Sequence, residues 1–516
     1  MKRRNFVKSL ALASAGTPIL LNNIKFQSIG KKLFKVAIGA EDRVLIIIRL
    51  NGGNDGLNTV IPRDQYANLN IQRSNILIPE TSVLPLTTEV GLHPVMGGMK
   101  GMFDQGKLGI IQNVGYPEQN RSHFRSMDIW SSGLIDNPPA TGWLGRELDL
   151  SYPNYPDDYP NATYQDPFAI SMGYEVSATC QGLMANFCHA VNNPFDVYNL
   201  STSGSVNDGT YYGSHIEYLT TLINQANEYG GQINDAANAG NSLSTLYDAN
   251  NPLAVQLQYV AKMISGGLES KVYVLNVNGF DTHDSQVIGG NTATGTHADL
   301  MKRVSDAVSA FQNDLMLLGL EDRVAGMTFS EFGRQVASNA SFGTDHGDAA
   351  PLFLFGTCLD FSLMGTNPVV GNTVINQEGI PMQVDFRDVY ASILKDWFGV
   401  ATSEIQTLFE HNITYHNLLG ACSLGVDEEE LSKDKALIYP NPAFGNSTVR
   451  FNAQNEWVKI DVYDVNNKLV ASVYDGNLAQ GQHDVPMEIR TLPAAQYFVR
   501  IQKASGTIAT KLLKVK

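Results

Sequence analysis

The chain of 516 residues is acidic, with 36 Lys and Arg against 51 Asp and Glu and a formal net charge of −15. Hydrophobic residues make up 43% and charged residues 17%, which is typical of a soluble globular protein with a large core. The excess acid argues against a nucleic-acid partner, because phosphate contacts need clustered Lys and Arg. Residues 435–516 differ, with ten Lys and Arg against six Asp and Glu, and this balance of +4 indicates a separate domain.

The N-terminus has the pattern of an export leader. The pair Arg3 and Arg4 precedes an aromatic residue and a lysine, as in the twin-arginine export signal, and residues 10–21 form a short apolar stretch. This stretch is too short and too weakly apolar to span a bilayer. We predict a twin-arginine-like signal peptide over residues 1–25, with an ordinary secretory leader as the alternative. No other stretch predicts a transmembrane segment.

Apolar runs without strict alternation predict strands that are buried on both faces of a mostly parallel sheet. The main ones are residues 44–50, 108–114, 272–277 and 324–329. An amphipathic helix predicted over 297–318 separates the last two at the spacing of a βαβ unit, and Gly319 has the place of a helix-ending glycine. A short strand at 352–355 and a helix at 386–398 follow.

Polar side chains follow several of these predicted strands. Asn54 and Asp55 lie in the glycine-rich turn after the first strand, and Asp281 and His283 come soon after the strand at 272–277. Because the carboxyl ends of parallel strands meet at one edge of a sheet, these side chains are expected to lie close together. Asn-Asp-Gly is also ordinary turn chemistry, and a single histidine is more often structural, so both interpretations are open from these residues alone.

The stretch 329–347 carries the densest set of chemically active residues. An apolar run ends abruptly, Glu331 and Arg334 follow it, and the pair Asp345 and His346 comes between two glycines. A carboxylate, a guanidinium and an Asp-His pair after a buried strand are what an oxyanion or metal site needs. The same groups are costly for a surface that merely packs. The stretch therefore predicts a functional site.

Ser122 lies at the start of a helix predicted to run through Trp130. Its simplest role is to cap the first amides of that helix. A serine at a helix N-terminus is also placed for nucleophilic attack or for an anion contact, since the helix dipole favours negative charge there. The capping role is favoured by the residues alone.

Residues 145–252 differ in composition from the rest. They are rich in Asn, Tyr, Asp, Gly and Ser with few long apolar runs, and predict a loop-rich insertion facing the substrate, with helices near 215–226 and 253–264. Exposed Tyr and Asn side chains suit contacts with sugars or other polar polymers. Cys180 and Cys188 are close enough for a local disulfide, and two buried free thiols are an equal alternative.

The C-terminal region resembles a known secretion signal. Residues 421–434 predict an acidic, solvated linker, and residues 435–516 alternate with period two, which predicts a small all-β sandwich of roughly seven strands. The leading YPNPA (439–443) and the terminal strands resemble the C-terminal sorting domain of type IX secretion cargo. The resemblance implies the type IX secretion machinery as a partner, and export through the periplasm to the cell surface or the medium.

Six motifs of the larger region resemble the bacterial Domain of Unknown Function family 1501. In chain order they are LNGGNDGLNTVIP (50–62), LHP (92–94), RSHF (121–124), GFDTH (279–283), SEFGR (330–334) and GTDHG (343–347). That family is similar to the alkaline phosphatase and sulfatase superfamily. The resemblance implies an α/β fold over residues 42–420, an alkaline phosphatase-like three-layer sandwich with a mostly parallel central sheet.

The resemblance also implies a set of site residues. A divalent metal would be held by Asp55, Asp281, His283, Glu331, Asp345 and His346, with zinc first and calcium, magnesium or manganese as alternatives. Ser122 would be the nucleophile, Arg334 the clamp for the transferred group, and Asn54 and His123 substrate contacts. In an alternative alignment Phe332 takes the place of a metal-binding histidine.

Two functions follow from this resemblance. The first is a secreted metal-dependent hydrolase of phosphate or sulfate esters, acting on a small ester or a polysaccharide. The second is a catalytically inactive, secreted or cell-surface binding or assembly protein on the same fold. The missing histidine and the insertion rich in Tyr and Asn favour the second function.

Overall fold

The structure, a computed structural model, describes residues 42–136, 140–196, 200, 209–420, 436–439, 443, 445–464, 468–504 and 506–514. The predicted signal peptide and linker lie outside the described residues. The chain divides into two compact units, with the boundary between residues 421 and 422.

The larger unit is built on a nine-stranded, mostly parallel sheet. The strands of this unit are β1 (Val44–Asn51), β2 (Val60–Pro62), β3 (Leu84–Pro85), β4 (Val90–Leu92), β5 (Leu108–Gly115), β6 (Ala169–Met172), β7 (Cys188–Val191), β8 (Val272–Asn278), β9 (Val324–Phe329), β10 (Ala350–Gly356), β11 (Leu363–Met364) and β12 (Val384–Asp385). The order is β11-β5-β10-β9-β1-β8-β6-β7, with β12 also beside β5. Only β10 runs antiparallel to its neighbours in the described sheet, and β2, β4 and β3 form a small separate sheet.

Ten α-helices are described. They are α1 (Gly56–Thr59), α2 (Tyr66–Arg73), α3 (Gly97–Asp104), α4 (His123–Ser132), α5 (Trp143–Ser151), α6 (Tyr211–Ala239), α7 (Pro252–Ser265), α8 (Thr296–Leu318), α9 (Phe386–Asp396) and α10 (Thr402–Leu408). None of these described helices combines the length and the hydropathy needed to cross a membrane.

Helices cover both faces of the sheet. On one face Ile46 and Ile48 of β1 belong to a core cluster that includes buried residues of α3, α7 and α8. On the other face the ring of Trp130 stacks on Phe329 at 5.1 Å and on Phe386 at 4.4 Å, which joins α4 and α9 to β9. The predicted three-layer α/β fold with a mostly parallel sheet is confirmed.

Three adjacent parallel strands bring the polar turns to one edge. β1 pairs with β8 from Leu45 through Asn51 and with β9 from Val44 through Arg49. β8, α8 and β9 form the predicted βαβ unit, and Gly319 ends α8 in the left-handed conformation with φ 67°. The loops after β1, β8 and β9 therefore leave the sheet side by side.

The segment 145–252 contains more regular structure than its composition predicts. β6 and β7 are parallel strands at the edge of the main sheet, and α6 is 29 residues long. The strands escaped prediction because each has only four residues. The helix predicted near 215–226 lies within α6, which is longer at both ends, and the one predicted near 253–264 corresponds to α7. Cys180 and Cys188 are buried free thiols, the second of the two alternatives.

The smaller unit consists of two antiparallel sheets. Its strands are β13 (Leu437–Tyr439), β14 (Ser447–Ala453), β15 (Glu456–Asp464), β16 (Leu469–Leu478), β17 (Gly481–Met487), β18 (Ala495–Lys503) and β19 (Gly506–Lys514). The sheets have the orders β13-β14-β17 and β16-β15-β18-β19. Inward-facing side chains of both sheets, such as Val449 and Ile460, form one core cluster. The predicted seven-stranded β-sandwich is confirmed.

Candidate metal centre

Histidine and aspartate side chains from three loops meet at the edge where β1, β8 and β9 end. His123 is the first residue of α4, Asp281 follows β8, and His346 lies between β9 and β10. One ligand atom from each of these three side chains lies within 4.8 Å of the other two. Nε2 of His283 is 2.9 Å from Nε2 of His346 and 3.2 Å from Oδ1 of Asp281. We call these four residues the metal centre.

The outer nitrogen of each histidine faces a hydrogen-bond acceptor. Nδ1 of His346 is 2.8 Å from the carbonyl oxygen of Arg121, and Nδ1 of His283 is 2.8 Å from Oδ1 of Asp345. Nδ1 of His123 is 2.9 Å from Oε1 of Glu331. A carbonyl or carboxylate oxygen only accepts, so Nδ1 carries the proton in each neutral ring. In this tautomer Nε2 of each ring carries the lone pair.

These lone pairs face one carboxylate. Nε2 of His346 is 3.1 Å from Oδ1 of Asp281, and Nε2 of His123 is 3.5 Å from Oδ2 of the same carboxylate. Burial opposes ionisation of Asp281, but the hydrogen bond and the positive charge of Arg334 outweigh it, and the pKa of Asp281 is lowered to about 2. Burial lowers the pKa of His346, which favours its neutral form. When the rings are neutral, an anionic oxygen thus faces imidazole lone pairs.

This arrangement fits a bound cation. Lone pairs and a carboxylate oxygen at 2.9–3.2 Å repel one another unless a positive charge lies among them. Imidazole nitrogen and carboxylate oxygen are ligands that suit zinc. The acceptors behind the three Nδ1 atoms are the outer partners that metal-binding histidines usually have. The four side chains of the metal centre could hold such an ion.

Asp55 and Asn54 do not join the metal centre. Asp55 is buried and its oxygens accept from Nη1 of Arg73 at 2.9 and 3.0 Å and from Nε2 of Gln286 at 2.6 Å. Burial opposes the ionisation of Asp55, but Arg73 prevails and lowers its pKa. The side-chain oxygen of Asn54 lies 3.0 Å from Nε2 of the buried His297. Both side chains point into the protein rather than to the sheet edge.

Arg334 is buried and its hydrogen bonds are made within the protein. Nε donates to the carbonyl of Gly53 at 2.7 Å, Nη1 to Thr344 at 2.8 Å, and Nη2 to Phe280 at 2.9 Å and to Oδ1 of Asp281 at 2.8 Å. It therefore holds Asp281 and two loops in place and presents no free fork to a substrate. This differs from the predicted oxyanion clamp.

Three other predicted residues lie around the metal centre. Ser122 is exposed at the N-cap of α4, and its hydroxyl makes no capping hydrogen bond. Asp345 is half exposed and contacts the centre through His283. The buried ring of Phe332 packs against His346 at 4.5 Å and His123 at 5.0 Å, and so forms an apolar wall behind two rings.

Sequence reasoning did not single out Arg73, Gln286 or the carbonyl of Arg121, although each fixes a predicted site residue. His123 was assigned to the substrate, whereas the structure groups it with Asp281 and His346. Arg73 and Gln286 carry no motif, and their contacts with Asp55 span 18 and 231 positions. Only the tertiary structure reveals such partners.

We expect the buried His297 to make stability depend on pH. Burial lowers its pKa from 6.5 to about 4, so the native state keeps it neutral while the unfolded chain binds a proton below pH 6.5. The stability that the neutral ring contributes is complete above pH 6.5 and is lost as the pH falls from 6.5 to about 4. The loss in the free energy of unfolding reaches about 2 kcal/mol at pH 5. Urea unfolding at pH 7.5 and 5, with chelator present, should show a smaller difference for His297→Gln than for the wild type. The exposed His215→Gln is the control, and equal differences in all three proteins would contradict the expectation.

Comparisons with known proteins agree with both family resemblances. Residues 248–408 match the family described as Protein of unknown function (DUF1501), and residues 437–515 match the Secretion system C-terminal sorting domain. The two resemblances predicted from the motifs are confirmed. The sorting domain indicates export handled by the type IX secretion system. A search of curated proteins gives no match.

Several solved structures share features of the fold at low identity. A protein in the alkaline phosphatase superfamily from Vibrio parahaemolyticus is 9% identical, with 86% of this chain and 79% of that chain covered and a TM-score of 0.35. The PsFucS1 sulfatase from Pseudoalteromonas sp. is 10% identical, with 87% and 85% covered and a TM-score of 0.30. The lipoteichoic acid synthase LtaP from Listeria monocytogenes is 11% identical, with 72% and 75% covered and a TM-score of 0.31. Likenesses at this level say nothing of activity, so function must be argued from this chain's own side chains.

Proposed function

We propose that this protein is an exported, metal-dependent hydrolase of phosphate or sulfate esters. One observation carries the proposal: three histidines turn Nε2 toward the carboxylate of Asp281 at one edge of the sheet. Each of the three Nδ1 atoms has an acceptor behind it, as metal-binding histidines usually do. The sorting domain at residues 437–515 supports export.

His123, Asp281, His283 and His346 would hold the ion, zinc in the first place. When bound, such an ion lowers the pKa of a coordinated hydroxyl or water and neutralises charge on the ester. The chain's residues supply the remaining functions. Arg334 and Arg121 orient Asp281 and His346 through hydrogen bonds of 2.8 Å.

Ser122 is the candidate nucleophile. It directly precedes His123 and occupies the N-cap position of α4, at the end of the helix where the dipole favours developing negative charge. Because the side chain is exposed and makes no capping hydrogen bond, its hydroxyl is free to turn toward a substrate. We propose that the ester binds over this helix start, against His123.

A cleft beside the metal centre offers room for the organic part of the ester. Its volume is about 480 Å³, and its lining includes Tyr116, Arg121, Asp348 and Met382. Arg121 and Asp348, which both line this cleft, form a bidentate ion pair with two hydrogen bonds of 2.8 Å. Arg121, which lines this cleft, is also the residue whose carbonyl oxygen accepts from His346.

A second candidate function is a metal-stabilised binding protein without catalysis. The specific observation in its favour is that Arg334 is buried and that its N–H groups donate hydrogen bonds to acceptors within the protein. Without a free cation, a phosphate or sulfate group would depend on the metal alone for charge compensation. This function predicts that metal raises the melting temperature although no ester is hydrolysed.

Turnover with and without metal tests the proposal. The full chain, stripped with chelator and reloaded with Zn²⁺, Mn²⁺, Mg²⁺ or Ca²⁺, should hydrolyse an aryl phosphate or an aryl sulfate. His346→Ala removes a metal ligand and should lower the rate by at least about 100-fold, because loss of only an outer partner of such a ligand already costs about 10–100-fold. Ser122→Ala should lower kcat while leaving bound metal unchanged.

The exposed His215→Ala serves as the matched control and should keep both metal and activity. Metal bound at one ion per chain without turnover of either ester would replace the hydrolase with the binding protein. No bound metal after loading would reject both functions.

A further inference from the structure

We propose that Glu331 is a positioning residue that sets the proton of His123, and not a metal ligand. The proposal rests on the metal-binding part of the proposed function and concerns the same site. The sequence predicted Glu331 as a ligand, because it follows a buried strand beside other site residues. The structure places its carboxylate on the outer nitrogen of a histidine instead.

Glu331 is held at several points on both its backbone and its side chain. The side chain is fully buried, and Oε1 accepts from the backbone N–H of Gly52 and from Nδ1 of His123, each at 2.9 Å. Its carbonyl oxygen accepts from the hydroxyl of Ser126 and from Nε2 of Gln119. Glu331 therefore connects the end of β9, the turn after β1 and the first turns of α4.

The carboxylate decides which nitrogen of His123 is free. An acceptor at Nδ1 keeps the proton there, so the lone pair of Nε2 faces Asp281. Among the described residues, His123 is the only basic side chain with a nitrogen within 4 Å of the Glu331 carboxylate. The other oxygen, Oε2, is buried and lacks a hydrogen-bond partner in the described residues. His123 is thus the basic side chain that this carboxylate contacts directly, while Arg49 interacts with it from beyond 4 Å.

The contact of Asp345 with His283 can be compared with that of Glu331 with His123. Asp345 contacts Nδ1 of His283 at 2.8 Å but its side chain is 52% exposed, so water can replace it. No solvent reaches Glu331 to do the same. A buried acceptor in a low-dielectric setting orients its partner more strongly than an exposed one. Loss of Glu331 should therefore disturb its histidine more than loss of Asp345.

The first test reads the histidine directly, without metal. In the ¹⁵N-histidine-labelled full chain with chelator, the ring spectrum of His123, assigned from His123→Ala, should show the proton on Nδ1. Glu331→Leu removes the acceptor and should shift the population toward Nε2–H, whereas Glu331→Gln, which keeps an oxygen, should preserve Nδ1–H. A wild-type ring with its proton on Nε2 would overturn the proposal, even if no variant folds.

The second test measures metal affinity by competition of Zn²⁺ with a chelating dye. Glu331→Leu should weaken binding by about 10–100-fold, as for other outer partners of metal-bound histidines, and Asp345→Asn should weaken it less and leave the His123 spectrum unchanged. In the His123→Ala background, Glu331→Leu should have no further effect. An equal loss in that background would show a general structural effect and overturn the proposal.

The two tests separate this proposal from the function itself. The tautomer is read in metal-free protein, so it can succeed or fail whether or not any ester is hydrolysed. If zinc binds and both esters remain intact, the hydrolase fails while the role of Glu331 is still decided by the spectrum and the affinity cycle.

Discussion

Replacing Asp281 with Asn is expected to abolish tight metal binding while the protein remains folded. Among the described residues, Asp281 is the one carboxylate that contacts all three histidines of the metal centre. Structural zinc sites are worth about 10–16 kcal/mol, so each of four donors contributes about 3–4 kcal/mol, or roughly 10²–10³-fold in affinity. We expect a loss of this size, measured by dye competition on the full chain.

Asn suits this test because its side-chain oxygen can still accept from Arg334, which lies 2.8 Å from Oδ1 of Asp281. Circular dichroism should therefore match the wild type. The control is Asp284→Asn, an exposed carboxylate in the same loop, which should leave the affinity unchanged. Unchanged zinc affinity in Asp281→Asn would mean that the three histidines do not form a metal centre around this carboxylate.

Replacing Asp55 with Ala is expected to destabilise the protein strongly without weakening metal binding. Asp55 and Arg73 form an ion pair at 2.9 Å with both side chains almost completely buried. Removing one partner leaves a buried charge without compensation, so we expect the free energy of unfolding to fall by about 3–5 kcal/mol. Urea unfolding of the metal-free protein, followed by tryptophan fluorescence, should show the loss.

A double variant separates the ion pair from a metal role. In Asp55→Ala/Arg73→Met the unpaired charge is gone, so part of the lost stability should return. Asp64→Ala, an exposed carboxylate nearby in the chain, is the neutral control. If Asp55→Ala instead kept its stability and lost zinc, Asp55 would be a ligand after all, as the sequence resemblance implied.

The architecture could be predicted because it depends on patterns that the chain carries locally. The runs at 44–50, 272–277 and 324–329 are apolar throughout, and strands buried on both faces need this composition. The helix at 297–318 has one apolar stripe and a glycine at its end, so it could be placed to within one residue. The short strands β6 and β7 have no such pattern and were missed.

The candidate site could be predicted only as a list of residues that leave one sheet edge. The sequence placed Asp55 and Asp281 equivalently, each just beyond a buried parallel strand. The structure separates them, since Arg73 draws Asp55 inward and Arg334 holds Asp281 near the histidines. Burial and the choice of hydrogen-bond partner depend on residues far apart in the chain, so the spacing of residues in the sequence cannot predict them.

The sequence by itself determined the long buried strands, the βαβ unit, the C-terminal sandwich and the edge where polar loops meet, because these follow from hydrophobic period and turn residues. Only the tertiary structure decided the roles at that edge: Asp281 and three histidines face one another, Glu331 and Asp345 stand behind two rings, and Arg334 is buried. The physical reason is that a side chain's role depends on its hydrogen-bond partner and its distance from water, and folding fixes both.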